Sequence, residues 1–250
     1  GLLEPSEGDV LFDGHRVNEL PPEERNIAQV FQFPVIYDTM TVYDNLAFPL
    51  RNMNTPEYKV DPKVREIADI LDLTPLLSRK AKNLTADEKQ KVSMGRGLVR
   101  DDVSAILFDE PLTVIDPQLK WKLRRKLKEI HERFNITMIY VTHDQKEALS
   151  LADGMVVMRD GEVIHKGAPR ELYHRPRNRF TAEFLGETNL LSGDIERHEG
   201  DLRILQTKSG RLTSTTSDSD APSSGTVSLS IRPERLCRSA SSTTESHNRI

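Results

Sequence analysis

The chain has 250 residues, 30% of them charged and 36% hydrophobic, with a formal net charge of -4 at pH 7. This length allows one sizeable core and a small second module, and the charge balance gives no electrostatic reason to expect nucleic-acid binding. Its single cysteine, Cys237, excludes an internal disulfide. No apolar run approaches the roughly 20 residues that span a bilayer, so we expect contact with a membrane only through a partner.

The first predicted elements are short and lead to a buried strand. Residues 8–17 are typical of a hairpin that turns at Asp13-Gly14. Ile27–Gln32 predicts a short strand, and Phe33–Met53 predicts an irregular segment with one short helix. Asp61-Pro62 predicts the first residues of a helix whose apolar side chains share one face.

The middle of the chain alternates helices with apolar strands. A helix is predicted to begin near Thr85, and the apolar run Val103–Phe108 suits a parallel strand buried on both faces. Asp116-Pro117 caps the next helix, Ile136–Val141 is the next strand, and another helix begins near Gln145. This succession predicts a parallel α/β sheet.

The chain changes character toward its C-terminal end. Gly154–Gly167 alternates around Asp160-Gly161 and predicts a hairpin, and helical spacing disappears after about Glu187. We therefore expect an α/β domain over residues 1–187 and a partial β domain over 188–237. Residues 209–226 are rich in Ser, Thr, Gly and Asp, which predicts a mobile loop, and residues 238–250 are predicted to be a disordered tail.

Polar residues with the chemistry of phosphate transfer follow the predicted strands. Asp109 and Glu110 end one strand, and His143 and Gln32 follow two others. In an open parallel sheet, ligands bind beyond the carboxyl ends of the strands. There one carboxylate can hold Mg²⁺, the next can deprotonate a water that attacks a γ-phosphate, and a histidine can donate to the developing charge. A glutamine carbonyl can also ligate Mg²⁺.

Each of these residues also has a purely structural interpretation. Asp109 and Glu110 can belong to a solvated turn, His143 can cap the helix that follows it, and Asp116 is compatible with a simple N-cap. Gln32 has no meaning in isolation. The order and spacing of the whole series, rather than any one residue, favour the functional interpretation.

Most of residues 1–187 resemble the ATPases of ABC transporters, especially the subunits of carbohydrate importers. The matching segments, in chain order, are Val30-Phe31-Gln32 (Q-loop), Leu84 to Val99 (signature helix), Ile106 to Pro111 (Walker B), Leu112 to Asp116 (D-loop) and Tyr140 to Gln145 (switch). A weaker match joins Thr188–Leu191 and Ile231 to Leu236 to the small β-barrel domain of sugar-importer ATPases. The resemblance implies a P-loop NTPase-type α/β fold followed by a partial β-barrel-like domain.

The resemblance also implies roles, cofactors and partners. ATP and Mg²⁺ would be the ligands, with Glu110 as general base, His143 as γ-phosphate sensor, and Gln32 and Asp109 at the metal. Thr85 and Asp116 would belong to the ATP site. A second ABC ATPase subunit, identical to this one or different, would complete each ATP site. Transmembrane permease subunits would dock near Phe33–Arg51, which would hold the protein at the cytoplasmic face of the cell membrane. Nucleic acid is not an expected partner.

The sequence departs from the family in two places that concern ATP. No Gly-x-x-x-x-Gly-Lys-Ser/Thr phosphate loop occurs in the chain, although the family has one just before a segment resembling Gly1–Gly8. Because that loop supplies most of the phosphate contacts, we interpret the chain as a fragment of a longer protein that alone binds ATP poorly.

The second departure is in the signature, where the family usually has Leu-Ser-Gly-Gly-Gln and this chain has Leu84-Thr85-Ala86-Asp87-Glu88. Thr85 and Glu88 form a capping-box pattern that would use the helix N–H groups internally. A carboxylate about 4 Å from a phosphate repels it by about 1 to 4 kcal/mol. We expect a weakened composite site and an asymmetric ATPase pair, although the same pattern can be a plain helix cap.

The leading function is therefore the ATP-hydrolysing subunit of an ABC importer for a polar solute of the carbohydrate kind. The alternative is a non-catalytic regulatory or scaffolding subunit that dimerises with a competent ATPase. The missing phosphate loop and altered signature favour the alternative, whereas Asp109, Glu110 and His143 favour catalysis. A third possibility, an ABC-type ATPase acting on nucleic acid, is opposed by the acidic charge balance and the β-barrel-like tail.

Overall fold

The computed structural model describes residues 1–100, 102–199, 202–208, 210–215 and 224–235. The chain divides into two compact units, the first from Gly1 to Ala152 and the second from Asp153 onward. This division concerns compactness alone, so the expected domain boundary near residue 187 stays a prediction.

The first unit contains the predicted hairpin and a three-stranded parallel sheet. Strands β1 (Leu11–Phe12) and β2 (His15–Arg16) pair antiparallel around Asp13 and Gly14, which both have positive φ. The sheet consists of β3 (Ile27–Val30), β4 (Ala105–Asp109) and β5 (Met138–Val141), in that order. The expected parallel α/β arrangement is confirmed.

Helices connect these strands and supply most of the core. They are α1 (Val42–Asn52), α2 (Glu57–Ile70), α3 (Ala86–Leu98), α4 (Pro117–Phe134) and α5 (Gln145–Leu151). Their apolar faces and the central strand form one cluster that includes the fully buried Leu46, Ile67, Met94, Ile106, Phe108 and Ile130. Burial of each such side chain stabilises the fold by about 1.5 to 3 kcal/mol. Ile139 and Val141 of β5 stay half exposed.

The prediction for the start of α2 was wrong. The helix begins at Glu57, with Pro56 at its N-cap, and Pro62 lies inside it rather than at its first position. Proline in a helix interior removes one backbone hydrogen bond. The loss is tolerated because Pro62 and Tyr58, whose carbonyl it leaves free, are both exposed to water.

The second unit combines a hairpin, two short helices and an antiparallel sheet. The predicted hairpin is β6 (Met155–Arg159) and β7 (Glu162–Gly167), and α6 (Pro169–His174) and α7 (Arg179–Phe184) follow it. The sheet contains β8 (Asn189–Glu199), β9 (Leu202–Thr207), β10 (Gly210–Thr215) and β11 (Thr226–Ile231), in the order β10-β9-β8-β11. The β content expected after residue 187 is confirmed, and closure into a barrel stays a prediction.

Arg232 joins the sheet of the second unit to its helices. The residue is only 5% exposed, and its guanidinium donates to the carbonyl oxygens of Tyr173, Ala182, Gly186 and Glu187 at 2.9–3.2 Å. It also lies over the Tyr173 ring, 4.2 Å from the centroid. Several carbonyl dipoles and an aromatic face thus compensate the burial of this charge.

The predicted mobile loop at residues 209–226 is corrected in part. Residues 210–215 form β10 and pair antiparallel with every residue of β9. The rest of that prediction, apart from residues 224–226, lies outside the described residues, as do Cys237 and the tail at 238–250. No helix in the described ranges combines the length and apolar character that crossing a membrane requires.

Candidate functional site

The three parallel strands bring their polar ends to one edge of the sheet. The register pairs Val30 with Phe108 and Phe108 with Tyr140. Gln32 and Glu110 therefore each lie two residues beyond a paired position. His143 lies three beyond Tyr140, so the predicted residues follow adjacent strands at the same edge. This placement is the one expected for a ligand site in an open parallel sheet.

Glu110 has an unusual backbone conformation at this edge. Its φ is +44°, in the left-handed region that residues other than glycine rarely adopt. The Glu110 N–H donates to the Val141 carbonyl at 2.9 Å, which ties the ends of β4 and β5 together. A conformation of this kind costs about 1 to 3 kcal/mol and persists only where the surroundings impose it, which is common at functional sites.

Glu110 and His143, predicted separately, are in direct contact. Glu110 Oε1 accepts from His143 Nδ1 at 3.0 Å, and Glu110 Oε2 accepts from the Thr113 hydroxyl at 3.2 Å. The hydrogen bond from His143 holds the pKa of Glu110 below its ordinary value, against a smaller opposing effect of burial. The same bond raises the pKa of His143. The pair is therefore a charged carboxylate beside an imidazole that readily takes up a proton.

Two predicted metal ligands follow strands at the same edge of the sheet as this pair. Asp109 is exposed and ends β4, and the partly exposed Gln32 follows β3. Their carboxylate and amide oxygens are hard donors that suit Mg²⁺, which usually takes one or two protein ligands and fills its shell with water and phosphate oxygens. The described residues contain no cluster of three or more His, Cys, Asp or Glu that could enclose a metal. Asp109 and Gln32 thus offer oxygen donors of the kind that Mg²⁺ accepts, and a magnesium ion between them stays a prediction.

The N-terminus of α3 has the predicted capping box. The Thr85 hydroxyl accepts from Glu88 N at 3.2 Å, and Glu88 Oε2 accepts from Thr85 N at 2.8 Å. Asp87 lies in the same turn with Lys91 at 3.7 Å. Two carboxylates and an internal cap occupy the place where a helix N-terminus would otherwise attract an anion.

Asp116 caps α4 as its structural interpretation predicted. Its side chain accepts from Gln118 N at 2.8 Å, and Pro117 takes the first helical position. The carboxylate stays exposed. Thr85 and Asp116 thus both bond to the N-terminal turns of their own helices, whereas Glu110 and His143 are joined to each other by a side-chain hydrogen bond.

Gln90 is a residue whose importance the sequence did not reveal. Its side chain is fully buried, and Nε2 donates to the carbonyls of Phe31, just before Gln32, and Pro111, just after Glu110, at 3.1 and 2.9 Å. One amide on α3 therefore holds both loops that carry the site. Its place in the signature-like segment was visible, but only the fold shows which loops it bonds.

Glu147 was missed for a similar reason. It is 2% exposed and accepts hydrogen bonds from the hydroxyls of Tyr140 and Thr142 at 3.0 and 2.9 Å. In the sequence, Asp144 followed three residues later by a glutamate is indistinguishable from an ordinary capping pattern. The burial of Glu147 follows from the fold, where α5 packs against α4.

The chain is similar in sequence to ATP-binding proteins of known transporters. The sequence model of the ABC transporter family matches residues 1–113. The alpha-glucoside transport ATP-binding protein AglK of Rhizobium meliloti is 41% identical over 94% of this chain and 66% of its own length. The sn-glycerol-3-phosphate import ATP-binding protein UgpC of Chromohalobacter salexigens is 38% identical over 96% of the chain and 64% of its own length. The uncharacterized ATP-binding protein YurJ of Bacillus subtilis is 43% identical over 81% and 55%.

The parallel sheet and the match to the family support an α/β domain of the P-loop NTPase type. Within that class, the chain belongs to the ATP-binding proteins of ABC transporters. The predicted family is thereby confirmed. The chain spans 55 to 66% of the length of these three relatives.

Proposed function

We propose that this chain is part of the ATP-hydrolysing subunit of an ABC importer for a polar solute of the carbohydrate class. The contact between Glu110 and His143 at adjacent strand ends carries the proposal, because it joins a proton acceptor to a donor for phosphate oxygens. The names of two relatives, which specify alpha-glucoside transport and sn-glycerol-3-phosphate import, support the choice of solute class.

In the proposed reaction, Glu110 accepts a proton from water as the water oxygen bonds to the γ-phosphorus. The bond from that phosphorus to the β,γ-bridging oxygen breaks, which yields ADP and phosphate. The bond from His143 lowers the pKa of Glu110 and keeps its carboxylate ionised in the resting protein. Release of that bond restores the proton affinity that a general base needs. His143, whose pKa is raised, donates a hydrogen bond to the γ-phosphate. Asp109 and Gln32 would hold Mg²⁺, which neutralises phosphate charge when bound.

The same contact sets a condition on catalysis. Because Glu110 and His143 bond each other, a nucleotide must enter between them or shift the imidazole before both can act. His143 is 70% exposed, so its side chain can move without disturbing the core. We propose that the contact is the resting arrangement and that the γ-phosphate replaces the carboxylate as the partner of His143.

We further propose that two such subunits form an asymmetric pair. Thr85 and Asp116 would face ATP across that dimer, but the capping box and Asp87 weaken the anion site at the N-terminus of α3. The site completed by this α3 would be slow, and the site completed by a partner's intact signature would be fast. Equal hydrolysis rates at both sites of a full-length pair would contradict the proposal.

The permease would dock on the segment from Phe33 to Arg51. Phe33, Val35 and Tyr37 are 68%, 51% and 41% exposed, which is typical of an apolar interaction surface. The loop is nevertheless fixed to α3, because Val35 N donates to Ser93 Oγ and Arg96 donates to the Val35 carbonyl. Movement of the docked loop would therefore reach α3 and Gln32. In this proposal the subunit lies at the cytoplasmic face of the membrane through its permease.

The decisive experiment compares the chain with a version extended upstream by the phosphate-loop segment of a relative. We expect the chain alone to bind Mg-ATP weakly, and the extended version to bind Mg-ATP and to hydrolyse it when paired with a subunit that carries an intact signature. Glu110→Gln should retain binding and lower turnover at least about a hundredfold. Glu132→Gln, an exposed change on α4, is the matched control and should change neither.

Each other outcome has a definite meaning. If the extended protein binds ATP but Glu110→Gln turns over normally, the proposed general base is wrong. If it binds and hydrolyses only beside a subunit with an intact signature, the asymmetric pair is supported. If it never binds nucleotide, the scaffolding function replaces the proposed one.

A further inference from the structure

The turn that carries His143 is held by a buried carboxylate that the proposed chemistry does not use. Glu147 lies in the first turn of α5 and is 2% exposed. Its Oε2 accepts from Thr142 Oγ1 at 2.9 Å and from Tyr140 Oη at 3.0 Å. Thr142 Oγ1 in turn accepts from Asp144 N at 3.0 Å. The residues on both sides of His143 are therefore linked to one carboxylate.

This arrangement differs from an ordinary helix cap. Asp144 alone caps α5, because its Oδ1 accepts from Lys146 N at 2.8 Å and from Glu147 N at 3.4 Å. In a capping box the glutamate three residues on would return to the N-cap backbone. Glu147 instead bonds two side-chain hydroxyls of β5 and its loop, so its carboxylate serves the turn rather than the helix.

The same carboxylate connects the turn to α4. Glu147 Oε1 lies 3.8 Å from Lys120 Nζ. Lys120 lies four residues beyond Asp116, and its backbone N–H donates to the Asp116 carbonyl at 3.0 Å. One buried group thus joins the turn of His143 to the helix that Asp116 caps.

We infer that Glu147 is the positioning residue of His143: it fixes the turn 142–144 so that the imidazole points at Glu110 and, in the ATP-bound protein, at the γ-phosphate. The part of the inference that concerns the γ-phosphate rests on the proposed function, and the part that concerns Glu110 does not. A group that orients a catalytic histidine without touching the substrate acts through geometry, and a misplacement of about 1 Å can lower the rate about a hundredfold.

The first test measures the imidazole of His143 by NMR titration in this chain. Its pKa is raised chiefly by the bond to Glu110, while Glu147 and Asp144 add to the effect through charge. Thr142→Val removes the hydroxyl and leaves every charge in place, so a fall in the pKa of His143 would report a loosened turn. Thr142→Ser keeps the hydroxyl and should leave the pKa unchanged.

A second pair of variants separates positioning from simple stabilisation. Tyr140→Phe removes a donor to Glu147 within β5 but leaves the bonds of the turn intact. It should lower the unfolding temperature without moving the pKa of His143. Glu110→Gln, which removes the carboxylate charge beside the imidazole, gives the largest fall and calibrates the scale. If Thr142→Val lowers only the unfolding temperature, Glu147 is structural and the inference is overturned.

The third test uses the version extended by a phosphate loop. We expect Thr142→Val to lower kcat about tenfold to a hundredfold with KM nearly unchanged, and Thr142→Ser to restore it. A normal kcat in Thr142→Val would contradict the part of the inference that concerns the γ-phosphate. If instead Glu110→Gln fails to lower turnover, the proposed function fails, and the titration still decides whether Glu147 orients His143. The two failures are thus distinguishable.

Discussion

Glutamate in place of Gln90 gives the sharpest test of how the site is held. The side chain is fully buried, and its amide nitrogen donates to the carbonyls of Phe31 and Pro111. Gln90→Glu keeps the shape but replaces that donor with an oxygen. An ionised carboxylate would face two carbonyl oxygens with no cation bonded to it, so the folded protein must take up a proton to keep even one hydrogen bond.

The loss of folding stability in Gln90→Glu is mainly the free energy needed to protonate the buried carboxyl group. To protonate a carboxyl group whose ordinary pKa is about 4.3 costs about 3.7 kcal/mol at pH 7, and about 1 kcal/mol at pH 5. The neutral acid has one donor for two carbonyls, so a further loss of about 1 kcal/mol applies at any pH. The variant should therefore be less stable than the wild type by about 5 kcal/mol at pH 7 and about 2 kcal/mol at pH 5. The sign is fixed because folding raises the pKa, so stability falls as the pH rises above the unfolded value.

Urea unfolding, followed by circular dichroism and by the fluorescence of Trp121, measures this difference at the two pH values. Trp121 is the only tryptophan and lies on α4, in the first unit, so its signal reports that unit. Gln118→Glu is the control, because that residue is exposed in the first turn of α4, where a carboxylate is tolerated. A Gln90→Glu protein within about 0.5 kcal/mol of the wild type at pH 7, or one that does not recover at pH 5, would refute the reasoning.

Two further predictions concern Arg232 and the contact of Glu110 with His143. Arg232→Lys should destabilise the second unit by about 3 kcal/mol, because an ammonium cannot reach all the carbonyls that the planar guanidinium bonds. Hydrogen exchange of the backbone amides in that unit measures the loss. Arg235→Lys, a change at an exposed residue, is the control and should have no effect. The contact of Glu110 with His143 stabilises folding fully between about pH 4.3 and 6.5. Its contribution is lost as the pH falls through the lowered pKa of Glu110, and also as the pH rises through the raised pKa of His143. His143→Gln should therefore lower the unfolding midpoint most within that window, and an equal loss at pH 9 would contradict the assignment.

The sheet and the site edge were predictable because local pattern and tertiary burial agree there. Val103–Phe108 is nearly continuously apolar, which suits the central strand, and polar residues begin where burial ends. The caps at Thr85 and Asp116 were predictable for the same reason, since the cap depends on residues only two or three positions away. Local chemistry is enough where the partners are local.

The remaining features depend on residues far apart in the chain. Gln90 bonds a carbonyl 59 residues away, and no periodicity shows which backbone groups it meets. The start of α2 was misplaced because Pro62 is a usual first residue of a helix, whereas the fold places it on an exposed face of a longer one. The contact between Glu110 and His143 also depends on the positive φ of Glu110, which no residue type at that position predicts.

The first turn of α3 and the rest of the helix make different contacts. At the first turn of α3, the capping box and two carboxylates oppose an incoming phosphate. One turn later, Gln90, Ser93 and Arg96 hold the backbone on both sides of Gln32. A helix kept only as scaffold would need neither a fully buried amide on both site loops nor an arginine on the exposed loop. We therefore propose a subunit whose α3 has lost phosphate affinity and still transmits movement between the loop of Phe33 to Arg51 and Glu110, with Gln90 as the residue on which that transmission depends.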